Sequence, residues 1–291
     1  MKLYLYRGAE PNFGDELNSW LLPRVFPNFF SDDEQNLFLG IGSILFDHHP
    51  TDPTKIVFGS GYGGYTKPPV LDEKWKVYCV RGPRTAACLN LDSSKVAADT
   101  AVLLNTYGRK SVPKRFKFSF MPHWESLHRG RWSEASEAAG VHFLDPRRDV
   151  EEILLEIQQS EVVIAEAMHG AIVSDALRVP WVPILPFHKS HHFKWFDWAE
   201  ALNIQLRPVQ LSPSSTHEAW VQKTGRGGNR FRQMLGPAIW LSDRYYFANA
   251  VKSLVNATLA QPSLSSDAAM ATAVEKLSSA SEVIKRDYSQ A

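Results

Sequence analysis

Two cysteines in 291 residues, Cys79 and Cys88, are too few for a disulfide framework, and they show no C-x-x-C spacing. Both fall in apolar patterns, one on an expected strand and one on an expected helix. They read as buried, reduced thiols of a cytoplasmic protein. No apolar run reaches the roughly 18 residues that a membrane span requires. The start, MKLYLYRGAEPNFGDE, has neither the apolar core nor the cleavage site of a secretory leader. Neither sign of charge dominates: 32 Lys and Arg stand against 31 Asp and Glu, a formal net charge of +1. A nucleic-acid partner is therefore not expected, and an anionic ligand must be met by a local cluster of cations. No G-x-S-x-G elbow of a serine hydrolase is present. The histidines of HKSHH (188–192) and DHH (47–49) lack the helical i, i+4 pair with an acid of a hydrolytic zinc site, so neither metal nor cofactor is expected. No internal repeat at fixed spacing occurs.

What is present is an alternation of short apolar runs with amphipathic stretches. KLYLY (2–6), LFLGIGSILF (37–46), KIVFGSG (55–61) and KVYCV (76–80) read as strands. Asp15 and Glu16 open a helix with Leu17, Trp20 and Leu21 on one face. RGPRTAACLNL carries Pro83 where a first helical turn tolerates it, and KVAADTAVLL (95–104) closes the series. TYGRKSVPKR (106–115) is polar and is the expected linker. A second series then runs through FKFSF (116–120), VHFL (141–144), DVEEILLEIQQ with Asp149 as its N-cap, VVIA, and WVPILP (181–186). It ends with the helical HHFKWFDWAEAL (191–202). Strands alternating with helices imply an α/β fold with βαβ units and parallel sheets, with ligand sites at the carboxyl ends of strands. The expected division is a first unit at 1–110, a second at 111–210, and a tail at 211–291 that packs back on the first unit. In the tail, the basic, glycine-rich stretch at 217–235 reads as a mobile loop, and 262–291 as a weak helix or disordered end.

GSGYGG (59–64) matches G-x-G-x-x-G, but YTKPPV follows it and cannot open the helix that a dinucleotide site needs. The glycines read instead as tight turns or points of close backbone approach. Three strand-to-helix junctions carry more information: RGAEPNFGDE (7–16), VRGPRT (80–85) and EAMHGA (166–171). Each sets an acid or a cation beside a helix start, where backbone N–H groups favour anions and arginine can grip carboxylate or phosphate. Asp15 serves there either as a helix cap or as a functional acid. His169 serves either as a hydrogen-bonded structural residue or as a functional group.

At these residues the chain resembles the polysaccharide pyruvyl transferase family. The resemblance is carried by NFGDELN (12–18), VRGPRTA (80–86), ADTAVLL (98–104), EAMHGAIVSDALRVP (166–180) and HKSHHFKWFDWAEAL (188–202), in the family's order over residues 1 to about 205. YRGAEPNFGDELNSW looks most like the ketal pyruvyl transferases of bacterial exopolysaccharides, of the xanthan and succinoglycan type. The resemblance implies a GT-B-like fold, two Rossmann-like domains facing across a cleft. It implies phosphoenolpyruvate as donor and a terminal sugar of a lipid-linked repeat unit as acceptor, two of whose hydroxyls, commonly O4 and O6, become a cyclic pyruvate ketal. One departure stands out: many members carry an arginine two residues before the motif histidine, where this chain has Ala167.

The chemistry of such a donor calls for a proton donor near neutrality, expected in His169. Asp15 or Glu166 is expected to act on the sugar hydroxyl. Arg81, Arg84, Arg7, Lys189 and Gly170 are expected at the donor, and Asn12, Gly61, Tyr62 and His123 at the acceptor. A lipid-linked acceptor implies a cytoplasmic protein working at the inner face of the membrane, and the segment with Lys223, Arg226, Arg230 and Arg232 serves there either as a solvated loop or as a contact to anionic headgroups. Two other readings remain open: a nucleotide-sugar glycosyltransferase of the same fold, and a non-catalytic carbohydrate-binding protein using some of the nine tryptophans and nine tyrosines.

Overall fold

A computed structural model of the chain describes residues 1–8, 10–225 and 238–288. Two four-stranded, all-parallel sheets organise it. The first comprises β1 (Lys2–Leu3), β2 (Asn36–Leu39), β3 (Thr54–Phe58) and β4 (Trp75–Cys79), side by side in chain order. The second comprises β5 (Phe116–Met121), β6 (His142–Phe143), β7 (Ser160–Ala165) and β8 (Trp181–Pro183), in the order β6-β5-β7-β8. Helices α1 (Phe13–Val25), α2 (Pro83–Cys88) and α3 (Leu104–Tyr107) belong to the first half. Helices α4 (Trp124–Arg129), α5 (Trp132–Ala138), α6 (Val150–Gln158), α7 (Met168–Ala176) and α8 (His192–Ala201) belong to the second. The result is a mixed α/β fold of two Rossmann-like halves.

Local chemistry explains most boundaries. α6 starts where Asp149 accepts hydrogen bonds from the Glu151 and Glu152 N–H groups at 2.8 and 3.3 Å. α2 has Pro83 in its first turn, where a missing N–H costs nothing. Several expected strands are shorter than their apolar runs. β1 ends at Leu3, and β2 ends at Leu39 because Gly40–Ser43 turns away as a loop. KVAADTAVLL forms no long element: Val96 makes one bridge to Val80, and Thr100–Leu103 is a 3₁₀ turn capped by Asp99. The polar stretch from Gly108 to Arg115 has no regular structure and leads into β5.

The switch of direction in the second sheet matters for function. From β5 the chain moves outward to β6, then returns to the other side of β5 as β7 and continues to β8. A crevice therefore opens beyond the carboxyl ends of β5 and β7, which is where parallel sheets bind ligands. The first sheet, laid down in sequential order, has no such switch.

The tail differs from expectation. Thr216–Thr224 is a helix, α9, capped by Ser215 Oγ on the Glu218 N–H at 3.0 Å, where a loop is expected. The remainder of that basic stretch, including Arg226, Arg230 and Arg232, lies outside the described residues. Ala238–Ala257 is helical. Asp267–Tyr288, Ser- and Ala-rich as it is, forms a 22-residue helix with Met270, Ala273, Leu277 and Ile284 on its buried face. It lies against the first half, where Tyr78 Oη donates to Asp287 at 2.8 Å and Lys276 Nζ to the Val96 carbonyl at 3.0 Å. Apolar packing is continuous from Phe38 and Phe58 through α1 and α7 to Trp181, Trp195 and Trp198.

A second tie joins the halves. Arg81, fully buried after β4, donates from Nε to Asp197 Oδ2 on α8 at 2.9 Å, and Thr85 donates its N–H and hydroxyl to the same carboxylate at 2.8 and 2.7 Å. At the exposed edge Arg84 forks onto Glu200 at 2.6–3.0 Å. Removing the buried acid strands a guanidinium without its counter-charge. Asp197→Ala is expected to lower stability by about 3–5 kcal/mol, read as a reduced urea midpoint, whereas Glu200→Ala changes it by under about 1 kcal/mol.

Candidate active site

Two of the three sequence junctions converge. The loops after β1, β2 and β3 and those after β5 and β7 surround a cavity of about 560 Å³, the size of a small-molecule site. Asn12, Phe13, Gly14 and Asp15, which open α1, form one wall. Ala167, Met168 and His169, which open α7, form the facing one. Both helices thus aim a positive dipole end at the same space. Gly14 lets them approach, since a Cβ at that position would overlap the His169 ring.

His169 stands at the cavity edge of α7 with Nε2 3.7 Å from Asp99 Oδ2. Asp99 is wholly buried. Its Oδ1 accepts the Ala101 N–H at 3.0 Å, while its Oδ2 has no hydrogen-bond partner among the described residues. His169 Nε2 is likewise unpaired. A short approach of the two satisfies both, and a carboxylate behind an imidazole orients the ring and fixes its tautomer. In sequence Asp99 reads only as part of ADTAVLL, and nothing singles it out as a site residue.

Asp15 faces the same space. Its carboxyl is raised by burial, against the Asn12 side chain, which donates to it at 2.9 Å, and the charges of His169 and Lys194. Lys194, on the first turn of α8, is with Arg147 one of the cavity's two cations among the described residues. Burial, with Arg81 nearby, pushes its ammonium down to about 8. The lysine expected in this role, Lys189, is exposed on the preceding turn and does not line the cavity. The two share one segment, and only the pitch of α8 turns the later one inward.

Other expected residues have different duties. Arg81 has all its nitrogens engaged, by Asp197, by Ser43 Oγ at 2.7 Å and by the Tyr62 carbonyl at 2.7 Å. Neither Arg81 nor Arg84 lines the cavity; they join α2 to α8 instead. Arg7 is exposed and paired with Glu16. Glu166 is buried behind the cavity, accepting the His123 N–H at 2.8 Å and the Ser126 hydroxyl at 2.9 Å. Burial, reinforced by Glu218, pushes its carboxyl up to about 8. It holds the turn after β5 in place and does not reach the cavity. Gly170 packs closely on Met121. Gly61 makes room for the Arg81 guanidinium, and no helix follows GSGYGG, in keeping with the rejected dinucleotide motif. Tyr62 is buried, its hydroxyl bound to the Thr66 carbonyl; Tyr65, three residues on, lines the cavity in its place.

Asn12 and His123 do line it. Burial, with Lys194 and His191 adding, holds the His123 imidazole well below its ordinary value. His191 of HKSHH is brought beside it, ring centroids 4.8 Å apart, and Glu125 lies next to both. At the mouth Tyr6, Tyr65 and Trp124 are exposed.

A helix pair, an acid, a lysine and a histidine backed by a carboxylate make a site that can hold an anion and move a proton. Comparison with known proteins agrees on the kind of molecule. A family model described as polysaccharide pyruvyl transferase matches residues 28–186. The succinoglycan biosynthesis protein ExoV of Rhizobium meliloti (strain 1021) is 33% identical, over 99% of this chain and 100% of that protein. No solved structure matches. The family match takes in Asp99, His123 and His169, the full-length relative extends over α1 and α8 as well, and the chain belongs to the polysaccharide pyruvyl transferase family.

Proposed function

We propose that the protein transfers pyruvate from phosphoenolpyruvate to a terminal sugar of a lipid-linked exopolysaccharide unit, releasing phosphate and leaving a cyclic 4,6-ketal. The observation that carries this reading is His169, set on the cavity wall between the buried Asp99 and the facing Asp15. In this reading the two halves act as a GT-B-like pair, with the acceptor on the first and the donor on the second.

The donor enters with its carboxylate and phosphate toward the α7 start and Lys194. His169, oriented by Asp99, gives its proton to the methylene carbon, and the neighbouring carbon becomes an oxocarbenium-like electrophile. A sugar hydroxyl attacks that carbon as Asp15 removes its proton; a carboxyl raised by burial is suited to accept it. The carbon–oxygen bond to phosphate breaks, phosphate leaves beside Lys194 with the proton taken up by Asp15, and the second hydroxyl closes the ring, its proton restoring His169. Tyr6, Tyr65 and Trp124 offer faces on which the sugar stacks at the mouth. Lys223, exposed at the end of α9, is available to anionic headgroups. No helix among the described residues is long and apolar enough to cross a membrane.

Three outcomes test the assignment, all measured as phosphate release from phosphoenolpyruvate with lipid-linked oligosaccharide acceptors. His169→Gln is expected to cut turnover by about 100- to 10,000-fold with an unchanged melting temperature, and turnover at the parent level sinks the mechanism. Asp99→Asn keeps the fold and is expected to lower turnover by at least about tenfold, because the amide no longer fixes the tautomer and orientation of the His169 ring; turnover at the parent level removes Asp99 from the proton path. Lys194 is charged below about pH 8 and loses its proton above it. Donor KM should therefore climb by up to about tenfold per pH unit past that point, and Lys194→Arg should flatten the climb.

A further inference from the structure

We propose that His123, Glu125 and His191 form a binding site for one divalent first-row metal ion of the zinc class, in the wall of the active-site cavity. One ligand atom from each of the three lies within 4.8 Å of the others. Glu125 Oε2 is 3.5 Å from His191 Nε2 and 3.9 Å from His123 Nδ1. Bonds of 2.0–2.1 Å to a tetrahedral ion hold ligand atoms about 3.3 Å apart, so the triangle has to contract by about an ångström or less on most of its edges. Side-chain torsions supply that movement.

The set is held for the purpose. His123 precedes α4 and is fixed by its own N–H on Glu166 at 2.8 Å. Glu125 follows on the first turn of α4. Arg129, one turn later, donates two hydrogen bonds of 3.2 Å to its carboxylate, the kind of outer partner that orients a metal-binding acid. His191 closes a short 3₁₀ turn and packs against Tyr65. Its Nε2 is the ring nitrogen that faces Glu125, at 3.5 Å, and its Nδ1 is buried with no partner among the described residues. Two imidazoles and one carboxylate are a zinc donor set, and three protein ligands leave a coordination position open. His123 and His191 both line the cavity, so that position faces it.

The charge of the cavity gives the ion a task. Its lining acids are Glu10 and Asp15 and its lining bases Arg147 and Lys194, two against two, and Arg147 is already paired with Asp145 and Glu10. With Arg81 and Arg84 committed elsewhere, a multiply anionic donor meets a cavity short of positive charge. A divalent ion supplies it and polarises a phosphate or carboxylate oxygen. This last step rests on the phosphoenolpyruvate reading, whereas the metal site rests on the side-chain geometry alone.

The test uses the full chain, stripped with chelator and titrated with Co²⁺, then with Zn²⁺ in competition, with neither donor nor sugar present. One equivalent of Co²⁺ should bind and give the intense visible absorption of a four- or five-coordinate site, with Zn²⁺ displacing it. His191→Gln and Glu125→Gln should each weaken binding by at least about 100-fold, with circular dichroism confirming that the variants fold. The proposal is overturned if no saturable binding occurs, or if it persists undiminished in both variants. Phosphate release in chelator, assayed separately, reports on the donor reading, so the two can fail independently.

Discussion

The buried pair of Arg81 and Asp197 is the constraint on which the rest of the site depends. A guanidinium out of water must have its N–H groups satisfied, and here Asp197, Ser43 and the Tyr62 carbonyl take them. That fixes α8 against α2, and Lys194, one turn before Asp197, is carried to the cavity. Gly61 and Gly82 belong to the same device. A side chain at Gly61 would overlap the guanidinium, and one at Gly82 would overlap the Asp197 backbone. An arginine that reads in sequence as a ligand for substrate is thereby an architectural residue, and the cavity is left with a titratable lysine.

The second constraint is the approach of α1 to α7. Each helix starts at the carboxyl end of a different sheet, and the glycine of NFGDE lets the first lie against the histidine of EAMHG. The pairing unites the two halves at the site itself, beneath the apolar packing that runs between them. Asp15 and His169 then face one space from opposite elements, as a reaction needing both a proton donor and a proton acceptor requires.

Much of this is legible in the residues. Alternating strands and helices give the parallel α/β architecture, Asp149 and Pro83 mark helix starts, and two of the three junctions meet at the cavity. What escapes are contacts that depend on distant pairing. Nothing near Asp99 in the chain says that an imidazole lies over it. Lys194 rather than Lys189 reaches the cavity because it lies within α8, which Asp197 and its partners Arg81 and Thr85 tie to α2 across the molecule. Glu166 sits within the most informative motif, yet two donors after β5 hold it behind the wall. The C-terminal helix was masked by composition: Met270, Ala273, Leu277 and Ile284 keep helical spacing, but the serines and alanines between them dilute the pattern.

The histidines complete the logic of the cavity. His48, His123, His128, His169 and His191 all line it, half of the ten in the chain, beside only two cations among the described residues, Arg147 and Lys194. Imidazoles suit such a space because they can be buried neutral, where an unpaired guanidinium cannot. Burial does hold His123 and His191 down, so they contribute ring nitrogens and not charge. His169 is the one set against a buried carboxylate, Asp99. The same residue type thus meets two different carboxylates: Asp99 behind His169, Glu125 beside His123 and His191. Ala167 lines the same cavity at the start of α7 and offers it no cation there.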